Sequence, residues 1–503
     1  MAKRKVAPFF LAIVLILGAK IPYSSASFPT LLTHDHRQNS RRTNLIGWRA
    51  PSPPSSDEGI KGGYWPSWLA YSFPPSSIPT SYFTHVFYAF VGIDASTYNL
   101  TITQPDDEWM GNFTATLHSK KPPAKSMLSI GGANSGSGTF STMISDPKNR
   151  ATFIKSSIAT ARKYGFDGMD IDWEFPGNQN DMSNLALLFK EWRLGAESEA
   201  KNSGKPRLLI SAAVYFASTV LLDQPPETYP GETIGKYADF INPMCFDYHG
   251  SWDLSVTGEH ALLFDKSSNI STSYGILSWI KIGVPPNKLV MGMPLYGRSW
   301  ELKDPKKHGI GAPAKGVGPG NDGYGVMFYD HIVEFNAQHH THQVYDETTV
   351  SEYSYSGTDW IGYDGPTSVK KKVEWAKANH LGGYFFWALG YDSNWTLSAI
   401  ASSYGNLLCR KYMSVTARAE VIAYPEVIDQ ARHSLTQIYK FMGIAPEASV
   451  SAHSIYKAAL YLGRQQITRA RFYFNLAEEG ASQLDKASRW PVCSFVSKNP
   501  RYD

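Results

Sequence analysis

Between residues 61 and 408 the chain alternates short apolar runs with amphipathic stretches, and this rhythm limits the fold more than any other feature of the sequence. The runs are Gly62 to Trp65, His85 to Val91, Ser126 to Ile130, Gly168 to Trp173, Leu208 to Val214, Phe240 to Phe246, Leu289 to Leu295 and Gly383 to Ala388. Each has the length of a strand. Between them, stretches such as Asn149 to Lys163 and Met182 to Ser198 repeat apolar residues every three or four positions, as a helix with one buried face does. Strands separated by such helices pair in parallel through crossover connections. Eight units predict an α/β fold, a closed (β/α)8 barrel of the TIM type, whose functional groups sit at the carboxyl ends of its strands.

Three intervals depart from the rhythm. Residues 296–382 are rich in Gly and Tyr, with short alternating stretches, and predict a small α+β insertion over about 300–370, after strand 7, walling one side of the cleft. Beyond Cys409, apolar positions Val427, Ala431, Leu435, Ile438 and Met442 predict a C-terminal helical extension over 409–503, to which the sequence assigns no role. At the other end, MAKRK precedes an apolar run from Val6 to Ala19 and the small residues Ser24-Ser25-Ala26. That is the form of a secretory signal over 1–26, and 27–60 reads as a flexible lead-in. The expectation is secretion, to the extracellular space or a vacuole, with no membrane association after cleavage. Sequons at Asn99, Asn112, Asn269 and Asn394 suit that route.

Composition narrows the partners. A net charge of +4 without a basic block interleaved with aromatics argues against nucleic acid. Aromatics make up 14% of residues, which suits surfaces that stack on sugar rings as well as a large core. Three scattered cysteines form neither a disulfide framework nor a zinc site; Cys245 reads as a buried thiol, and Cys409 with Cys493 is a candidate bridge. A monomer with no cofactor and no metal is expected.

The chemistry concentrates in GFDGMDIDWEFPG, residues 165–177. Alternate strand residues share a face, so Asp170, Asp172 and Glu174 point together while Met169, Ile171 and Trp173 point away. Glu174 comes last and would reach the barrel mouth, with Asp172 one layer below and Asp170 deeper. Stacked carboxylates in a dry interior cannot all ionise, so the column retains a proton near neutral pH, as a general acid must. A calcium loop would need EF-hand spacing, which the intervening Met, Ile and Trp do not follow. A purely structural polar cluster is the remaining alternative.

DGMDIDWE resembles the D-x-x-D-x-D-x-E signature of family 18 glycoside hydrolases, the chitinase family. SIGG at 129–132 and PLYGRSW at 294–300 resemble its third- and seventh-strand segments, and GGYWPSW with FTHVFYAF is similar to the plant class V branch. The resemblance covers about 61–405. It implies a secreted hydrolase of chitin or chito-oligosaccharides that retains configuration through the substrate's own acetamido group, one of the substrate-assisted exceptions among glycosidases. In that reading Glu174 is acid then base, Asp172 holds the acetamido N–H, Asp170 shares a proton with Asp172, and Asp167 ties the strand to neighbouring backbone. NPMCFDYHG resembles the family's M-x-Y-D segment, making Met244 and Asp247 cleft residues, but Phe246 replaces the tyrosine that contacts the acetamido group. Tyr248 is a candidate substitute for that hydroxyl. Trp387 matches the tryptophan that floors the central sugar site, Tyr64 and Phe90 read as cleft lining, and Arg298 as either a cleft-edge donor or an ion-pair residue. The loss at position 246 keeps a second reading open, a chitinase-like lectin with weak or no turnover.

Overall fold

The computed structural model describes residues 59–222 and 225–405. The signal-like segment 1–26, the lead-in up to residue 58, and the extension over 409–503 with Cys409 and Cys493 lie outside the described residues.

Eight parallel strands form the centre: β1 (Ile60–Pro66), β2 (His85–Ile93), β3 (Lys125–Gly131), β4 (Gly168–Asp172), β5 (Leu209–Tyr215), β6 (Asn242–Met244), β7 (Val290–Pro294) and β8 (Gly383–Trp387). Hydrogen-bonded neighbours run β7, β8, β1, β2, β3, β4, β5, β6. A parallel bridge between Ile241 and Leu289 brings β6 back to β7, so the sheet closes on itself and the expected (β/α)8 barrel is borne out.

The pleat divides the strand residues between two cores. Met169, Ile171 and Trp173 point outward and pack with Phe153, Leu188 and Trp192 of the surrounding helices. Tyr64, Phe87, Met127, Phe240, Val290 and Phe385 point inward and fill the barrel. The helices are bounded by local chemistry. Pro147–Tyr164 begins where the Asp146 carboxylate accepts from the backbone N–H groups of Lys148 and Asn149 and ends at Gly165, in the left-handed region at φ 80°. No helix among the described residues is long and apolar enough to cross a membrane.

β6 is shorter than the run from Phe240 to Phe246 suggests. Pro243 offers no N–H to a ladder, and the N–H groups of Cys245 and Phe246 fold back onto the carbonyls of Pro243 and Met244, at 3.0 and 2.9 Å. The chain therefore leaves the barrel at residue 245, and Asp247 takes φ 61°, a conformation uncommon outside glycine. Between β7 and β8, six antiparallel strands from Tyr296–Leu302 to Asp359–Tyr363 and the helix Tyr329–Gln338 build a second sheet. Its central strand, Tyr296–Leu302, leaves β7 after a single residue. Whatever sits on that strand is thereby delivered to the barrel mouth.

Closure demands close backbone approach at one glycine. A Cβ on Gly383 would lie 1.9 Å from the Ile60 carbonyl oxygen, inside the β8–β1 ladder. Gly383→Ala is expected to destabilise the fold by about 1–3 kcal/mol, the range of overpacked core sites. Calorimetry would show this as a lowered Tm.

Candidate active site

Register decides the surroundings of each carboxylate. In the β3–β4–β5 ladder Asp170 lies level with Ser129 and Ser211, and both are inward-facing. Their hydroxyls donate to Asp170 Oδ2 and Oδ1, each at 2.7 Å. Tyr64, from β1, donates a third hydrogen bond to Oδ2 at 3.0 Å, and Asn242 Nδ2 in turn donates to the Tyr64 oxygen at 2.9 Å. Burial pushes the Asp170 carboxyl up to about 6, with the three hydroxyls pulling the other way.

One layer higher the neighbours are Gly131 and Ala213, which carry no polar side chain. Asp172 is accordingly left with Oδ1 buried and without a hydrogen-bond partner among the described residues. Burial raises its pKa well above the usual carboxylate range, and the charges of Glu174 and Asp170 raise it further. Glu174 lies two residues beyond the end of β4 and is only partly buried. Burial, then the charge of Asp247, pushes it up to about 7.

Asp247 is the contrasting group. Burial alone would raise it, but the Arg298 guanidinium and His260 outweigh that and hold its carboxyl well below the usual range. Arg298 Nε donates to Asp247 Oδ1 at 2.6 Å, and the guanidinium stacks on Trp252 with 4.7 Å to the ring centre. His260 is fully buried, with Nδ1 3.6 Å from Asp247 Oδ1 and Nε2 3.1 Å from the Tyr296 carbonyl. The site thus holds three carboxyls that burial raises and one held ionised.

An aromatic row lines the same end. Phe90 and Trp387 are stacked at 5.5 Å, and the half-exposed Trp68 lies within 6.4 Å of both rings. Met244 and Phe246 are partly buried against the inner core, Phe246 turning its edge toward Tyr296 and Phe385 at 6.2 Å each.

Two placements, those of Tyr64 and Tyr248, differ from the sequence reading, and those of Arg298 and Asp167 fall within it. Tyr64 is 1% exposed and lies under the mouth rather than in its lining, because its hydroxyl is committed to Asp170. Tyr248 does not take the place of the hydroxyl missing at Phe246. It points into the outer core, where its oxygen lies 3.1 Å from Thr272 Oγ1 and its ring packs on Phe216. Arg298 is 2% exposed and, of the two roles open to it, takes the ion pair with Asp247. Asp167 sits at the opposite end of β4, accepting from the Ser126 N–H at 2.8 Å and facing His118 Nε2 at 2.7 Å. Sequence reasoning missed Ser129 and Ser211 as partners of Asp170, although each occupies the same layer of an adjacent apolar run. It also missed Asn242, which alternates with Phe240 and Met244 in the sixth run, and Trp68 and His260, for which the sequence offers no periodic signal.

Residues 61–392 match the sequence model described as Glycosyl hydrolases family 18. The chain belongs to that family. A class V chitinase, CHIT5, of Lotus japonicus is 52% identical over 351 residues, 70% of this chain and 87% of the relative. A mutant class V chitinase from Nicotiana tobaccum, solved in complex with NAG4, superposes with a TM-score of 0.65 at 39% identity, covering 69% of this chain and 99% of that one. A chitinase-like agglutinin from Robinia pseudoacacia superposes with a TM-score of 0.63 at 40% identity, with the same coverage. The protein is a glycoside hydrolase, similar to plant class V chitinases.

Because Asp247 stays ionised and its charge raises Glu174, its removal has a defined sign. In Asp247→Asn, Glu174 gives up its proton at lower pH; if Glu174 is the proton donor of the reaction, the alkaline limb of the hydrolase's kcat/KM profile moves toward lower pH. Steady-state rates across the pH range check this.

Proposed function

We propose that this family 18 hydrolase cleaves β-1,4 links between N-acetylglucosamine units of chitin or chito-oligosaccharides, with retention of configuration. Asp172 carries the reading. A buried carboxylate oxygen without a partner among the described residues, one layer below a carboxyl that burial pushes up to about 7, suits a ligand N–H rather than a structural contact.

The steps follow from the charges. Glu174, protonated, donates to the glycosidic oxygen as that bond breaks. The 2-acetamido carbonyl oxygen of the sugar attacks the anomeric carbon and gives a cyclic, positively charged oxazolinium. Asp172, once its proton has passed to Asp170, accepts the acetamido N–H, and the charge it then carries offsets the ring's. Glu174, now a carboxylate, takes a proton from water, whose oxygen opens the ring and restores the acetamido group. Asp170, held by three hydroxyls, provides a nearby carboxylate with which Asp172 shares its proton. Asp247, kept ionised by Arg298, accepts a sugar hydroxyl, and Trp387 with Phe90 offers an apolar floor for a pyranose face. The relatives named as chitinases, and the neighbour solved with NAG4, support the substrate class.

The likeness to an agglutinin and the phenylalanine at 246 favour a second reading, a sugar-binding protein with little turnover. Glu174 weighs against it, since a binding module needs no proton donor of that pKa. We also propose that the protein is secreted as a monomer after removal of residues 1–26; N-terminal sequencing of material from the medium should begin near Ser27.

Product analysis on chitotetraose separates the readings. Wild-type protein is expected to release shorter oligomers and Glu174→Gln to release none; wild-type protein that binds without release would establish the lectin. Restoring a hydroxyl in Phe246→Tyr should raise kcat about two- to tenfold, one net hydrogen bond to the acetamido group, with little change in KM.

A further inference from the structure

Glu174 stands outside the β4 ladder, so something other than strand pairing must hold its backbone. The loop after β3 does so. Gly132 N–H donates to the Asp172 carbonyl at 2.8 Å, and a Cβ on Gly131 would lie 2.1 Å from that same oxygen, so only glycine allows the approach. Next comes Ser137, the first residue of the helix Ser137–Ser145, which has no side-chain cap. The Trp173 indole N–H donates to Ser137 Oγ at 2.8 Å, and Ser137 Oγ–H donates to the Phe175 carbonyl, also at 2.8 Å. Phe140, one turn further on, stacks on Trp173 at 5.5 Å and 13°.

This hydroxyl therefore bridges the residues on either side of Glu174. Its proton direction is set by its partners, because an indole N–H only donates and a carbonyl only accepts. We infer that Ser137 is a positioning residue for Glu174: one hydroxyl ties residues 173 and 175 to a single point and thereby fixes where the acid presents its proton. The inference rests on Glu174 being the general acid. Proton donation requires hydrogen-bond reach of the leaving oxygen, and small displacements of a catalytic group lower rates steeply. Ser137 itself takes no part in the reaction, and its one proton is committed to the Phe175 carbonyl.

The test uses the full chain and chitotetraose, with kcat, KM, the pH profile and Tm measured for wild type, Glu174→Gln, Ser137→Ala, Ser137→Thr and Trp173→Phe. Ser137→Ala is expected to lower kcat roughly ten- to a hundredfold with KM unchanged. It should also move the alkaline limb to lower pH, because a Glu174 freed to turn toward water loses the burial that raises it. Ser137→Thr, which keeps a hydroxyl, restores both. Trp173→Phe removes only the donor on one side and lowers kcat less; it serves as the reading if Ser137→Ala does not fold. Normal kcat and an unmoved pH limb in Ser137→Ala, with or without a lower Tm, would overturn the inference, as would the same result in Trp173→Phe. If wild type is active, Glu174→Gln dead and Ser137→Ala normal, only the positioning role fails. A wild type that releases no product overturns the proposed hydrolysis and this role together.

Discussion

The burial of Asp170 is the constraint around which the barrel's mouth is arranged. A carboxyl with no exposure at the centre of a closed sheet is strongly disfavoured unless its lone pairs are occupied. Ser129 and Ser211 occupy them because the β3–β4–β5 register brings three inward positions into one layer. Tyr64 adds a third hydrogen bond from across the barrel. With Asp170 held this way, the alternation of β4 places Asp172 between Gly131 and Ala213, where the protein offers it no polar side chain from either strand. A single register thus satisfies the lower carboxyl and leaves the upper one available to a ligand.

The charges are then pushed apart by their surroundings. Burial raises Asp170, Asp172 and Glu174, whereas Asp247 is drawn down by a buried guanidinium. Groups of the same chemical type, separated by environment, can divide proton donation from charge stabilisation in one cleft. The inserted sheet is part of this division. Its central strand carries Arg298, so the ionised state of Asp247, in the turn after β6, depends on an element outside the barrel.

Much of the architecture was legible in the residues. Period-two alternation located the strands and separated Asp170 and Asp172 from Met169 and Ile171, since the pleat is a local property. Phe90 shows where that logic ends. Val86 and Tyr88 point outward, and strict alternation would send Phe90 with them. A register shift between Tyr88 and Val91 turns it inward against Trp387 instead. Tyr248 shows the same limit at β6. The backbone leaves the barrel at Cys245, and alternation no longer predicts which residues face the cleft.

The sequence by itself determined the eight strands, the column of acids on β4, the family and the absence of a tyrosine at 246, all of which depend on residue type and short-range spacing. Tertiary structure alone decided that Asp170 is held by three hydroxyls while Asp172 Oδ1 has no partner among the described residues, that Arg298 serves Asp247, and that Tyr248 faces away. These depend on which residues from distant strands share a layer, and register between strands is a property of the closed sheet that no single strand encodes.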